Sequence, residues 1–310
     1  MSKYDVKLGA VFAAIAYLIW GLFPIYWKYL QKVGADEILA NRIVWSFVFM
    51  LILIMVTKKW RKVIATLKSF KENKKQAFLL FIASILVSGN WFIYIWAVNA
   101  DKVIETSLGY YINPLVSVLL GMIVLKEKLT KIQYLSFVLA AIGVLILTIS
   151  HGSFPWIALS LAFTFGLYGL IKKMLILDSE IGLTIETMFI TPFALVYIVL
   201  LFVNGNNAFL AISINKDVLL MLSGVLTAVP LLFFAKGAQR IPLSMLGFIQ
   251  YVTPTLTLIL GVFLFHEAFT STHLIAFIFI WTALAIYSLS KTKLVHLFSK
   301  SKKQPEVYSE

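Results

Sequence analysis

The sequence predicts an all-α polytopic membrane protein with ten transmembrane helices arranged as two inverted five-helix repeats. Three observations carry this: apolar blocks close to the length that crosses a bilayer, basic residues gathered in alternate loops, and a duplication at offsets of 140 to 145 residues. The 310 residues are 61% hydrophobic and 13% charged, against roughly 45–50% and 25% in soluble domains. A mean hydropathy of +0.92 and 15% aromatic residues leave more apolar surface than a water-soluble fold of this size can hide.

At 1.5 Å per residue, a hydrocarbon core of about 30 Å needs some 20 helical residues. Blocks of that length fall at 8 to 30, 36 to 57, 76 to 99, 104 to 125 and 131 to 149 in the first half. Five more fall at 153 to 171, 181 to 203, 217 to 236, 241 to 265 and 271 to 290. The first block is longer than a signal-peptide core of about 7–15 residues, and is read as a retained helix.

The net charge of +13 raises the question of nucleic acid, but that function needs Lys and Arg on one water-exposed face. Here they lie between apolar blocks, so no nucleic-acid partner is expected and the lipid bilayer is the partner. Threading the spans alternately places most of the 27 Lys and Arg on the side of both termini. The positive-inside rule makes that side cytoplasmic. The loop from Lys58 to Lys75 and the tail 291–310 supply most of the asymmetry. Trp60, Val63, Ile64, Leu67 and Phe70 have helical spacing suited to lying on anionic headgroups, although a loop that only sets topology is the preferred reading.

The duplication divides the chain into 1–150 and 151–290. At offset 140, Tyr111, Pro114, Gly121, Glu127 and Thr130 meet Tyr251, Pro254, Gly261, Glu267 and Thr270. At offset 145, Gly21 and Lys28 meet Gly166 and Lys173, with Trp20 opposite Phe165. Five helices per half is an odd number, so the second half enters from the opposite side. The halves are then related by an axis in the membrane plane, an architecture of many secondary transporters.

Several stretches carry a family resemblance. They are YLIWGLFPIYWK at 17–28, EILANR at 37–42, Asn90-Trp91 with YIWAVN at 94–99, and ETSLGYYINP at 105–114. In the second half come FGLYGL at 165–170, GLTIET at 182–187, and PLSMLGFIQY at 242–251 with Pro254. These resemble the RarD group of the EamA-type drug/metabolite transporter superfamily. The resemblance implies ten helices in two EamA repeats, a bacterial cytoplasmic membrane, and export or exchange of small metabolites or drugs. It implies no particular substrate. Asn41 departs from the pattern, standing where many relatives carry His.

Charges inside apolar spans are costly, and are functional candidates by default. Lys28, Arg42 and Glu105 fall at outer helix ends, and Lys173, Glu186 and Arg240 at inner ones. Each set is a candidate gate latch. Arg42 and Glu186 sit about 9 Å in from opposite faces and are not expected to touch. Glu186 is the best candidate for a proton carrier, since burial favours a neutral carboxyl, and a coupling proton or ion is a candidate partner.

Trp20, Asn90, Trp91, Tyr94, Tyr110, Tyr111, Asn113, Tyr168, Gln250, Tyr251 and Thr253 are the candidate lining of a cavity for a small-molecule substrate. Tyr and Trp offer an apolar face with one hydrogen-bonding tip. Pro24, Pro114, Pro192, Pro230 and Pro254 lie within spans, and the matched Pro114 and Pro254 are the hinge candidates. Gly21, Gly121, Gly166 and Gly261 suit close helix approach, while Ala162 and Gly166 pack helices within a monomer or between two. Glu127 and Glu267 read as structural.

Catalysis requires nucleophiles, bases or ligands converging at one depth. The chain has no cysteine, and His151, His266, His273 and His296 lie in loops or near helix ends. No metal site, cofactor or enzyme activity is expected. No phosphate-binding G-x-x-x-x-G-K-[ST] loop is present to drive a pump. The alternative to a secondary transporter working by alternating access is a non-transporting receptor or assembly factor.

Overall fold

Lipid cannot satisfy backbone polar groups, so apolar segments of this length close their hydrogen bonds within helices. The computed structural model describes residues 3–100, 102–150, 152, 154–266 and 269–290. Its helices are α1 (Lys3–Lys28), α2 (Ala35–Val56), α3 (Trp60–Ser69), α4 (Lys74–Asn99), α5 (Val103–Ile123) and α6 (Lys131–Ser150). They continue as α7 (Trp156–Met174), α8 (Ser179–Val203), α9 (Ile214–Arg240), α10 (Leu243–Gln250), α11 (Val252–Phe263) and α12 (Ser271–Ser290). Among the described residues ten spans are long and apolar enough to cross a membrane, with α10 and α11 forming one between them and α3 forming none. The tail 291–310, Glu267, His151 and His296 lie outside the described residues.

The chain divides into two compact units, Met1–Leu125 with Pro155–Glu267, and Lys126–Phe154 with Ala268–Glu310. In the smaller unit α6 packs on α12, where a Cβ on Gly143 would lie 2.6 Å from the Ala276 carbonyl oxygen. Within the larger unit the packing is paired. Helix α1 lies on α9 and α11, and its counterpart α7 lies on α4 and α5. The matched glycines do matched work: Gly21 faces Leu256 and Gly166 faces Val116, which is 140 residues earlier. The small residues Ala162 and Gly166 therefore serve α5 and α7 of one chain.

Two features differ from expectation. The basic loop contains α3, whose Val63 is buried while Leu67 and Phe70 pack against the main core. Trp60 and Ile64 stay exposed, so half of the amphipathic face is spent on the protein itself, and the loop is a structural element beyond its charge. In the ninth span the helical hydrogen bonding is interrupted at Tyr251, three residues before Pro254, while the Tyr251 backbone stays in the α region (φ −59°, ψ −13°). Proline lacks a donor and its ring clashes with the carbonyl four residues earlier, here Gln250. Pro114 sits inside the unbroken α5. Its carbonyl is the group that a Cβ on Gly247 of α10 would meet at 2.6 Å.

Candidate functional site

At the end of the larger unit that carries the basic loop, charges join three segments. Lys59, between α2 and α3, donates to Asp178 at 2.9 Å and also to Glu180 at the start of α8. Lys236 of α9 reaches the other oxygen of Glu180 at 2.8 Å. Gln239 donates to the Leu177 carbonyl at 2.9 Å and Ser179 donates to Gln239 at 3.3 Å. The hydrogen bond to Glu180 holds the Lys59 ammonium above the ordinary lysine range. Lys173 ties α7 to α9 through the carbonyls of Ala238 and Ile241, at 3.3 and 2.5 Å. Arg240 caps the Lys236 carbonyl at 2.8 Å and stands 5.5 Å from the Phe12 ring. These contacts form an ionic cluster that joins the Lys59 segment, the start of α8 and the end of α9.

Beneath this cluster lies a buried triad. Lys172 Nζ is 2.6 Å from Glu186 Oε1, and the two side chains are 2% and 1% exposed. The Tyr168 hydroxyl donates to Glu186 Oε2 at 3.2 Å. Glu186 thus pairs with Lys172, and its hydrogen-bond partners include neither Lys173 nor Arg240. Tyr168 stacks on Phe234 (12° between planes), and Phe165, Trp20 and Tyr17 close round them. Trp20 and Phe165, opposite one another in the repeat, meet edge to face at 5.6 Å. Beside Glu186 is a cavity of about 10 Å³, lined by Ser46, Val87, Trp91, Thr187 and Leu231 among others, room for about one water molecule.

Trp91 also belongs to a second cluster of side chains, toward the opposite end. There the Arg42 guanidinium lies 4.9 Å from the Trp27 ring and 5.3 Å from Trp91. Its Nε donates to Thr227 Oγ1 at 2.9 Å. Tyr26, Tyr94 and Tyr110 lie within its electrostatic reach. The Tyr94 and Tyr110 rings meet edge on at 6.2 Å, and Tyr110 is 45% exposed. Helices α1 and α4, the counterparts of the tied pair α7 and α9, do not pack on one another among the described residues beyond an isolated contact at most.

Other contacts at this end hold the segment between α8 and α9. Buried Glu37 accepts from the backbone N–H groups of Ala208 and Phe209 at 2.8–2.9 Å. Asp217 accepts from Leu210 at 2.7 Å. Lys28 is exposed and 4.8 Å from the Phe265 ring, and Glu105 lies 3.6 Å from Lys102. Arg42 joins neither of them in an ion pair.

Several polar candidates make helix-to-helix bonds. Asn90 donates to the Leu161 carbonyl and to Thr164, both at 2.9 Å. Asn113 reaches the Ala162 carbonyl at 3.1 Å and Thr253 the Tyr17 carbonyl at 2.8 Å. Gln250 accepts a long 3.5 Å bond from Tyr17. Tyr251 is buried beside the helix break, and Tyr111 is half-buried. Asn41 is buried and turned back on the Glu37 carbonyl at 3.0 Å.

Lys172, Lys59, Glu180, Lys236 and Trp27 were not among the sequence candidates. Lys172 carries a signal, since it lies four residues after Tyr168 and so on one helical face with it, but the repeat match to Lys28 directs attention to Lys173. Lys59 and Lys236 are indistinguishable from topogenic charges until their partners are seen. Among the described residues, no group of three or more His, Cys, Asp or Glu is placed to hold a metal ion.

Comparison with known proteins places this geometry. The EamA-like transporter family model matches twice, over residues 7–149 and 154–289. The chain is 50% identical to the uncharacterized transporter YojE of Bacillus subtilis (strain 168), over 94% of this chain and 97% of that one. It is 40% identical to the protein RarD of Escherichia coli (strain K12), covering 93% and 96%. A crystal structure with 16% sequence identity superposes with a TM-score of 0.69 over 92% of this chain and 98% of its own, which shows a shared fold. Ten apolar helices, a family model matched in each half and relatives of nearly equal length together show that the chain belongs to the EamA-like transporter family, as a RarD-type multi-pass transporter of the bacterial cytoplasmic membrane.

Proposed function

We propose that this transporter moves a small organic solute by alternating access, as an exporter or exchanger, with both termini in the cytoplasm. One observation carries the reading. Of two helix pairs equivalent under the repeat, α7 and α9 are tied together while α1 and α4 stand apart among the described residues. An inverted repeat has two near-equivalent packings, and such a difference between equivalent pairs is what one of the two states looks like. In the orientation given by the basic loops, the latch of Lys59, Glu180 and Lys236 shuts the cytoplasmic end and the Arg42 cluster faces outward.

The sequence shows that the latch is not mirrored in full. Trp96 stands 140 residues before Lys236, so the outer gate has no lysine at that position. Lys28 and Glu105 are the gating candidates there, with Lys173 and Arg240 at the inner end. The tie-break at Tyr251 gives Pro254 the stronger claim of the two hinges. Glu186 is the coupling candidate, and protonation would release it from Lys172.

The test is uptake of labelled amino acids, nucleosides, amphenicols and related metabolites into proteoliposomes at two imposed pH gradients, comparing wild type with Glu186→Gln. Gradient-dependent uptake that fails in the variant supports transport coupled through Glu186. Uptake preserved in the variant reduces Glu186 to structure. No uptake of any solute by the wild type sinks the transport reading in favour of a receptor or assembly factor.

A further inference from the structure

We propose that the cluster around Arg42 is the binding site for the carboxylate of a small monoanionic solute with an apolar, preferably aromatic, body. The inference rests on the transport reading above, and supplies the substrate class for it.

Arg42 sits seven residues into α2, roughly 10 Å along the helix, at a depth where an uncompensated cation is costly. Its surroundings fix it without neutralising it. Thr227, itself buried and anchored to the Ser223 carbonyl at 2.8 Å, holds Nε at 2.9 Å. The indoles of Trp27 and Trp91 flank the guanidinium at 4.9 and 5.3 Å. Such cation–π contacts attract and dehydrate a cation but bring no negative charge. Among the described residues, the ion pairs of the molecule are made by Lys59, Lys102, Lys172 and Lys236, and none reaches Arg42.

What is left over has the shape of a receptor. With Nε occupied, both terminal amino groups of the planar fork make no hydrogen bond within the chain among the described residues. That fork matches a carboxylate in a two-point interaction. Tyr94 and Tyr110 stand beside it, and Tyr110 is 45% exposed. One guanidinium balances one negative charge, which favours a monocarboxylate over a phosphate dianion. The walls of Trp27, Trp91, Tyr94 and Tyr110 favour a flat apolar body with hydrogen-bonding capacity at its edge.

The three other features with unspent chemistry carry less. The Tyr251 hydroxyl is buried without a hydrogen-bond partner, but the space described near it holds no second group to define a ligand. The groove beside Asp178 and Arg240 belongs to the latch. The cavity beside Glu186 has room for about one water molecule.

The test measures binding of phenylacetate and hexanoate, and of their neutral amides phenylacetamide and hexanamide, to the purified full chain, with quenching of tryptophan fluorescence as the signal. At least one acid should bind no less than tenfold more tightly than its amide. Arg42→Gln should abolish that preference and Arg42→Lys should keep part of it. The comparison of acid with amide on the wild type does not depend on any variant folding. Equal binding of acid and amide, no binding of either acid, or a preference that survives Arg42→Gln would each overturn the assignment. The transport reading fails separately. Acids that bind through Arg42 but never accumulate in proteoliposomes alongside any other solute would sink transport and keep the site. Neutral solutes transported equally by Arg42→Gln, with no acid bound, would do the reverse.

Discussion

Replacing Glu186 by Gln leaves the Lys172 ammonium 2% exposed with a neutral amide in place of its carboxylate. The Tyr168 hydroxyl also loses a charged acceptor. Removing one partner of a buried pair costs about 3–5 kcal/mol, because the remaining charge cannot reach water, whereas replacing both partners by apolar groups of similar volume is often neutral. Lys172→Met with Glu186→Leu should therefore fall within about 1 kcal/mol of wild type, while either single change costs about 3–5 kcal/mol. In a chain of this size that corresponds to roughly 5–15 °C in the unfolding midpoint, measured on the purified protein in micelles. Single variants as stable as the double would refute the claim that these charges are paired in the interior. The double variant also separates roles, since it should fold yet transport without dependence on pH if Glu186 carries the coupling proton.

Three further outcomes test the rest of the molecule. Cutting the latch with Lys59→Ala and Lys236→Ala should raise the rate at which a maleimide modifies Thr187→Cys at least tenfold from the basic-loop side. The chain has no native cysteine, so the label reads one position, and an unchanged rate would remove the latch from the gate. The folded-state pKa of Lys59 is raised, chiefly by its hydrogen bond to Glu180. Its stabilisation is therefore complete below the ordinary lysine value of 10.5 and is lost as pH rises through the higher folded value. The stability difference between wild type and Lys59→Met should be flat from neutral pH to pH ~9.5 and shrink above pH ~10.5, as followed by unfolding midpoints. A Cβ on Gly224 meets the Trp45 and Ser46 backbone and would part α2 from α9, so Gly224→Ala should cost about 3 kcal/mol. Gly89→Ala, with open space around it, should be neutral or slightly stabilising, and equal effects would refute the close contact.

The ten spans were legible because the property that makes them, apolar side chains over about 20 consecutive residues, is local and needs no partner. The family model matches two stretches, 7–149 and 154–289. Lys126 and His266, 140 residues apart, both take left-handed conformations, with φ of 54° and 56°. Hydropathy reaches its limit at α3, where a basic loop and a packed helix have the same composition, and at the ninth span, where two aligned prolines lie on helices of different continuity.

Which side chains meet was decided by the tertiary structure. Arg42 and Glu186, the most conspicuous charges in the sequence, each lie seven residues into their helices from opposite ends. Whether Glu186 met Lys173, Arg240 or Lys172 depended on the rotation of α7 about its axis, about 100° between neighbouring residues. Composition carries no record of that angle. It is set by close contacts such as Gly166 on Val116 and Gly169 on Phe234, which bury Lys172 against Glu186 and turn Lys173 toward α9. The isolation of Arg42 has the same origin. The sequence by itself determined that a cation stands inside the second span, and the packing of α1, α2, α4, α5 and α9 determined that aromatic rings and hydroxyl groups surround it with no carboxylate paired to it among the described residues.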